Sequence, residues 1–136
     1  MQDELFIVAS QKHPLANKKH VSIADLQDQT WVIREVGSGT REYYNHFTRT
    51  NGLRIKSTLT ISSNQGIKET VMNGMGLSLL SHSVIERDAL HKNLSIIKLK
   101  DHSFKRTLSY VYSPIMQDKN NVKAFISALN QKWPHS

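Results

Sequence analysis

The sequence predicts an α/β protein with a largely parallel sheet, and three observations carry that prediction. Short β-branched or aliphatic runs (LFIVA, TWVIR, STLTI, LSLL, LSIIKLK) recur along the 136 residues. Amphipathic segments alternate with them. Glycines, two of them after asparagine, punctuate the junctions between the two kinds of segment.

LFIVA (5–9) is apolar without alternation, as expected of a strand buried on both faces, and Pro14 in KHPLANKKH marks the loop after it. Ser22 opens a short predicted helix, SIADLQD, with acids in its first turns where the helix dipole favours them. TWVIR (30–34) is the next predicted strand. A helix from about Ser38 to Thr50 follows, with Tyr43, Tyr44 and Phe47 on one side, read as core rather than as a stacking platform, and Asn51-Gly52 as its stop. STLTI (57–61) is β-branched and reads as a strand. Ser62 with Gln65 has the spacing of a capping box, opening a helix that carries Ile67 and Val71 on one face and ends at Asn73-Gly74. LSLL (77–80), HSVIERDAL and LSIIKLK (94–100) read as strand, helix and strand, and TLSYVYS (107–113) as a further strand. In the last helix, about Asp118 to Trp133, Val122, Phe125, Ile126, Leu129 and Trp133 form a continuous apolar stripe that predicts a buried face. Pro134 ends it.

Composition narrows the functional classes. The length suits one ordinary domain, or one and a part. The apolar share is 38%, and no run approaches the roughly 18 residues of a membrane span. MQDELFIVAS lacks a basic n-region and so does not read as a signal peptide. A soluble cytoplasmic chain without membrane contact is expected. Cysteine is absent, which excludes disulfides, thiolate metal sites and cysteine nucleophiles. The seven histidines show neither HExxH nor HxH spacing, so no metal site is expected. GxSxG, GxGxxG and P-loop patterns are missing, as are paired carboxylates, and neither an enzyme activity nor a cofactor is expected. The formal net charge of +7 is scattered rather than concentrated. It reads as a solvated basic surface, not a nucleic-acid-binding face.

One junction has chemistry to offer. In REVGSGTREYY (34–44) the chain leaves a strand, turns on Gly37 and Gly39 and enters a helix. Arg34, Ser38, Thr40 and Arg41 gather there. Unpaired N–H groups at a helix N-terminus favour an anion, and an arginine can grip a carboxylate with two hydrogen bonds. The turn at Ser62, Ser63 and Asn64 offers a second helix N-terminus. Each residue also has a plainer reading. Ser38 and Ser62 suit N-caps, worth roughly 1 kcal/mol each. Arg41 suits a solvated surface charge, and Arg34 a surface pair with Glu35 of little energetic value.

Read in order, DELFIVASQKHPLA, SIADLQDQTWVIREVGSGTRE and TLTISSNQGIKETVMNGMGLSLLSHSVI resemble the effector-binding domain of LysR-type transcriptional regulators. The matches are His13-Pro14-Leu15-Ala16, the "re.gSGtR" loop, and Ile67-Lys68, Val71 and Gly74-Met75-Gly76-Leu77. The chain departs from the family pattern at Ser81-His82, where a proline is usual. The resemblance implies a Rossmann-like lobe of the type 2 periplasmic-binding-protein fold, with a mostly parallel sheet and flanking helices. It further implies an inter-lobe crossover strand at 1–10, a second regulatory lobe at 11–100, and a return strand and C-terminal helix of the first lobe at 101–136. The rest of that lobe is absent, as is the helix-turn-helix through which DNA would be bound. A small-molecule effector, a carboxylate or other anion, would bind between lobes at Arg34, Gly37, Ser38, Gly39, Thr40, Arg41, Ser62, Ser63 and Asn64, with a homo-oligomer (dimer or tetramer) as the assembly. LFIVA would be left as an exposed edge open to exchange between chains. The alternative is a solute-binding module of a transport system with the same fold.

Overall fold

The computed structural model describes residues 1–132, which fall into two units. The larger is Glu4–Lys105; the smaller joins Met1–Asp3 to the described residues from Arg106 onward. The element order is β1 (Gln2–Ser10), β2 (Gln29–Ile33), α1 (Gly39–Thr50), β3 (Ile55–Thr60), α2 (Asn64–Met72), β4 (Ser78–Ser81), α3 (His82–Leu90), β5 (Leu94–Ile97), β6 (Phe104–Thr107) and α4 (Asn120–Lys132).

β2 and β3 pair in parallel, Thr30 opposite Ser57 through Ile33 opposite Thr60. Leu77, at the mouth of β4, joins β2 on its other side: its N–H donates to the Thr30 carbonyl (2.9 Å), and its carbonyl accepts from Val32 N–H (2.7 Å). β1 then lies between β4 and β5 and is antiparallel to both. The sheet order is therefore β3-β2-β4-β1-β5, with β1 alone reversed. LFIVA is consequently not an edge. β4 pairs Leu5–Val8 on one flank and β5 pairs Ile7–Ser10 on the other, all within one unit, which occupies both sides of the strand and removes the template for strand exchange.

Alternate residues of each inner strand enter opposite cores, as the pleat requires. Leu5, Ile7, Trp31, Ile33 and Leu79 meet Tyr44 and Phe47 of α1. Val8, Val32 and Leu80 meet Ile67 and Val71 of α2 and Ile85 of α3. This two-sided burial explains why the strands read as unbroken apolar runs.

Elsewhere the structure departs from local pattern. SIADLQD is only a 3-10 turn, Ala24–Leu26. The Asp25 carboxylate accepts both Ser22 N–H and Ser22 hydroxyl at 2.9 Å and takes Lys18 Nζ at 2.6 Å. This local closure competes with helix, and Asp28 turns away at φ 56°. The hydrogen bond from Lys18 is the main cause holding the Asp25 carboxyl at about 2.

In the smaller unit Met1–Asp3 is tied to 106–108, with Leu108 N–H donating to the Met1 carbonyl (2.8 Å) and Arg106 paired to Asp3 (2.7 Å). The strand expected over 107–113 ends at Thr107. β-Propensity expresses fit to a pleated, half-buried surface, and residues 108–113 are exposed. The last helix forms where its periodicity predicts, but no described residue of α4 is buried, and Phe125 is 62% exposed. Trp133 and Pro134 lie outside the described residues. A stripe can specify a helix without supplying the surface that covers it. Phe125→Ala is accordingly expected to change unfolding free energy by less than about 0.5 kcal/mol; a loss of ~3 kcal/mol in urea denaturation would show the stripe to be core.

Candidate functional site

Adjacent parallel strands β2 and β3 end at the same sheet edge, and their following turns lead into α1 and α2. That is where open α/β sheets place ligands. Gly37 takes φ +93° in the first turn, a conformation costly for other residues. Ser38 then stands in the N-cap position with extended backbone (φ −73°, ψ 129°), its carbonyl accepting Glu42 N–H at 3.1 Å. Its hydroxyl makes no cap hydrogen bond. Gly39 is the exposed first residue of α1, and Thr40 is buried in its first turn.

In the second turn the N-cap is Ser63, whose hydroxyl oxygen accepts Gly66 N–H at 3.0 Å. The Ser62–Gln65 capping box does not form. Ile61 N–H donates to the Ile33 carbonyl (2.9 Å), carrying the β pairing one residue further and delaying the turn, while Gln65 donates to Glu69. Ser62 is exposed.

The two turns are joined by Arg34. Its Nη1 donates to Asn64 Oδ1 at 2.9 Å, and its Nε and Nη2 each donate to the Glu35 carboxylate at 2.8 Å. Glu35 is 39% exposed and the Arg34 side chain 21%. The Arg34 contact is the chief reason the Glu35 carboxyl is held at about 2. Arg41 reaches back: its Nη1 donates to the Arg34 carbonyl at 2.7 Å, with a longer contact from Nε to Asn45 (3.4 Å). Neither arginine is simply a solvated surface charge. The arrangement presents two anchored guanidiniums beside two helix N-termini, suited to holding a small oxyanion.

Sequence reasoning assigned Glu35 only to a surface pair and left Asn45 unnoticed. An i, i+1 acid–base pair is common on surfaces; the signal available was that Arg34 leaves a buried strand, which shields its stem.

The HPLA turn serves elsewhere. Because β1 is antiparallel, its C-terminal end lies beside the starts of β4 and β5, the sheet edge opposite Arg34. There His13 Nδ1 accepts Leu15 N–H at 3.1 Å, and burial lowers the His13 pKa. Among the described residues no cluster of metal-binding side chains occurs, and no helix is long and apolar enough to cross a membrane.

The family model described as LysR substrate binding domain matches residues 1–134. The chain is 53% identical over 133 residues to the HTH-type transcriptional regulator CysL of Bacillus subtilis, covering 98% of the chain and 44% of that protein. It thus spans less than half the length of this relative. The regulatory domain of Synechocystis CcmR, solved in complex with 2-PG, superposes with a TM-score of 0.74 at 25% identity, over 99% of this chain and 66% of that one. The regulatory domain of Neisseria meningitidis MetR shares the fold, with a TM-score of 0.79 at 13% identity, over 96% and 60% of the two chains.

Proposed function

This chain belongs to the LysR substrate-binding domain family, and on that premise we propose that it senses a small anionic effector for a bacterial transcriptional regulator. The effector would bind at the turns after β2 and β3, through Arg34, Gly37, Ser38, Gly39, Thr40, Arg41, Ser62, Ser63 and Asn64. The observation that carries this is the Arg34–Asn64 bridge, which fixes a guanidinium where both turns open. The 2-PG complex of the CcmR regulatory domain supports an anionic ligand.

In this reading residues 1–10 are the strand crossing between lobes, 11–100 the second regulatory lobe, and 101–136 the part returning to the first. DNA contact belongs to the remainder of the full regulator, a cytoplasmic dimer or tetramer. Effector binding would favour one arrangement of the regulator over another and thereby shift its population on DNA.

A thermal-shift screen of sulfate, phosphate, small carboxylates and amino-acid precursors tests the reading. Ligand at a hundredfold excess over Kd stabilises by about 2.7 kcal/mol, a clear rise in Tm. Arg34→Ala and Arg41→Ala are expected to abolish that rise while leaving the unliganded Tm within a few degrees. A rise that survives both substitutions would move the site elsewhere.

A further inference from the structure

We infer that Glu35 and Asn64 are positioning residues for the anion site, holding the Arg34 guanidinium so that one N–H on each terminal nitrogen is left for a bound oxyanion. The inference rests on the reading above and adds to it two roles and a donor geometry. A guanidinium has five N–H donors. Glu35 takes one from Nε and one from Nη2, and Asn64 takes one from Nη1, at 2.8, 2.8 and 2.9 Å. One donor remains on Nη1 and one on Nη2.

The three contacts come from two directions. Glu35 grips the Nε side of the plane, and Asn64, thirty residues away in sequence, reaches Nη1 from the first turn of α2. Together they restrict rotation of a side chain that is otherwise among the most flexible. Arg41 closes the arrangement by donating to the Arg34 carbonyl at 2.7 Å, so the backbone under the guanidinium is braced too. An anion therefore meets a donor pair already ordered, and the ordering cost of binding falls. Glu35 need not leave for the anion to arrive, because the donors it occupies differ from those that remain. A carboxylate, a sulfate or a phosphate offers two acceptor oxygens to such a pair; chloride, a single centre, offers one.

The test uses the 136-residue chain and its Glu35→Gln, Glu35→Asp and Asn64→Ala variants. Order of the Arg34 Nε–H is read by proton–nitrogen NMR without ligand. Acetate, sulfate and phosphate are then titrated separately against chloride at constant ionic strength. Arg34 Nε–H is expected to be rigid and slow to exchange in the wild type and mobile in Glu35→Gln. The best-bound oxyanion should bind roughly three- to tenfold more weakly to Glu35→Gln and Asn64→Ala, with Glu35→Asp intermediate and all spectra otherwise native-like. Tighter binding by Glu35→Gln would make Glu35 a competitor and overturn the inference, as would an Nε–H equally mobile in the wild type and Glu35→Gln. Failure of every anion to bind the wild type would sink the proposed function instead, while the Arg34 order measurement still decides the positioning roles.

Discussion

Gly76→Ala is expected to destabilise the protein by about 2–6 kcal/mol, through backbone strain of ~1–3 and overpacking of ~1–3 kcal/mol. Gly76 has φ +152°, and a Cβ there would sit 2.6 Å from the Thr30 carbonyl oxygen and 3.0 Å from its carbon. Both are backbone atoms of β2, so no flexible side chain can yield. The same Thr30 oxygen accepts Leu77 N–H in the seam between β2 and β4. An added methyl group therefore pushes apart the only strand contact that joins β2 and β3 to the rest of the sheet among the described residues. Urea denaturation followed by far-UV circular dichroism measures the cost. A change under 0.5 kcal/mol would mean that the seam adjusts freely and that the close approach is not needed for the fold.

Trp31→Ala is expected to cost about 3–5 kcal/mol, the range for truncating a large aromatic in a packed core. Trp31 is fully buried, and its ring lies 5.2 Å from that of Tyr44 at 55°, so the loss would loosen α1 from the sheet and with it the turn that carries Ser38. Trp31→Phe should be far milder, under about 2 kcal/mol. The indole Nε1–H is buried with no hydrogen-bond partner among the described residues, and an unsatisfied buried donor carries a penalty of roughly 1–3 kcal/mol. Removing it offsets part of the cavity left by the smaller ring. A loss of ~3 kcal/mol or more for Trp31→Phe would show that the indole N–H is satisfied in solution, by water for example.

Much of the larger unit is legible in its residues. Ile7 beside Val8, Trp31 beside Val32 and Leu79 beside Leu80 announce strands with two buried faces, because each neighbour must enter a different core. Gly37 marks the turn into α1, since its φ suits no β-carbon. The candidate site was legible as a set of residue types at two junctions, but its working geometry was not. Arg34 next to Glu35 reads as a surface pair until Asn64 is seen to take a third donor from thirty residues away. The spacing of Ser62 to Gln65 points to Ser62 as the cap; the extra β hydrogen bond at Ile61 delays the turn and makes Ser63 the cap instead.

What the sequence alone determined is the set of elements whose signals are local: apolar runs, helical stripes, and a glycine where the backbone must take a positive φ. These arise from sterics and periodicity within a few residues of chain, and α1, α2, α3 and the inner strands follow them. The tertiary structure alone decided what those elements meet. It seats β1 between two antiparallel partners rather than at an edge, leaves α4 with no buried residue among those described and the aromatic segment 108–113 exposed, and sets how many donors Arg34 keeps. Burial and hydrogen-bond partnership depend on surfaces distant in sequence, and no local pattern states whether such a surface is there.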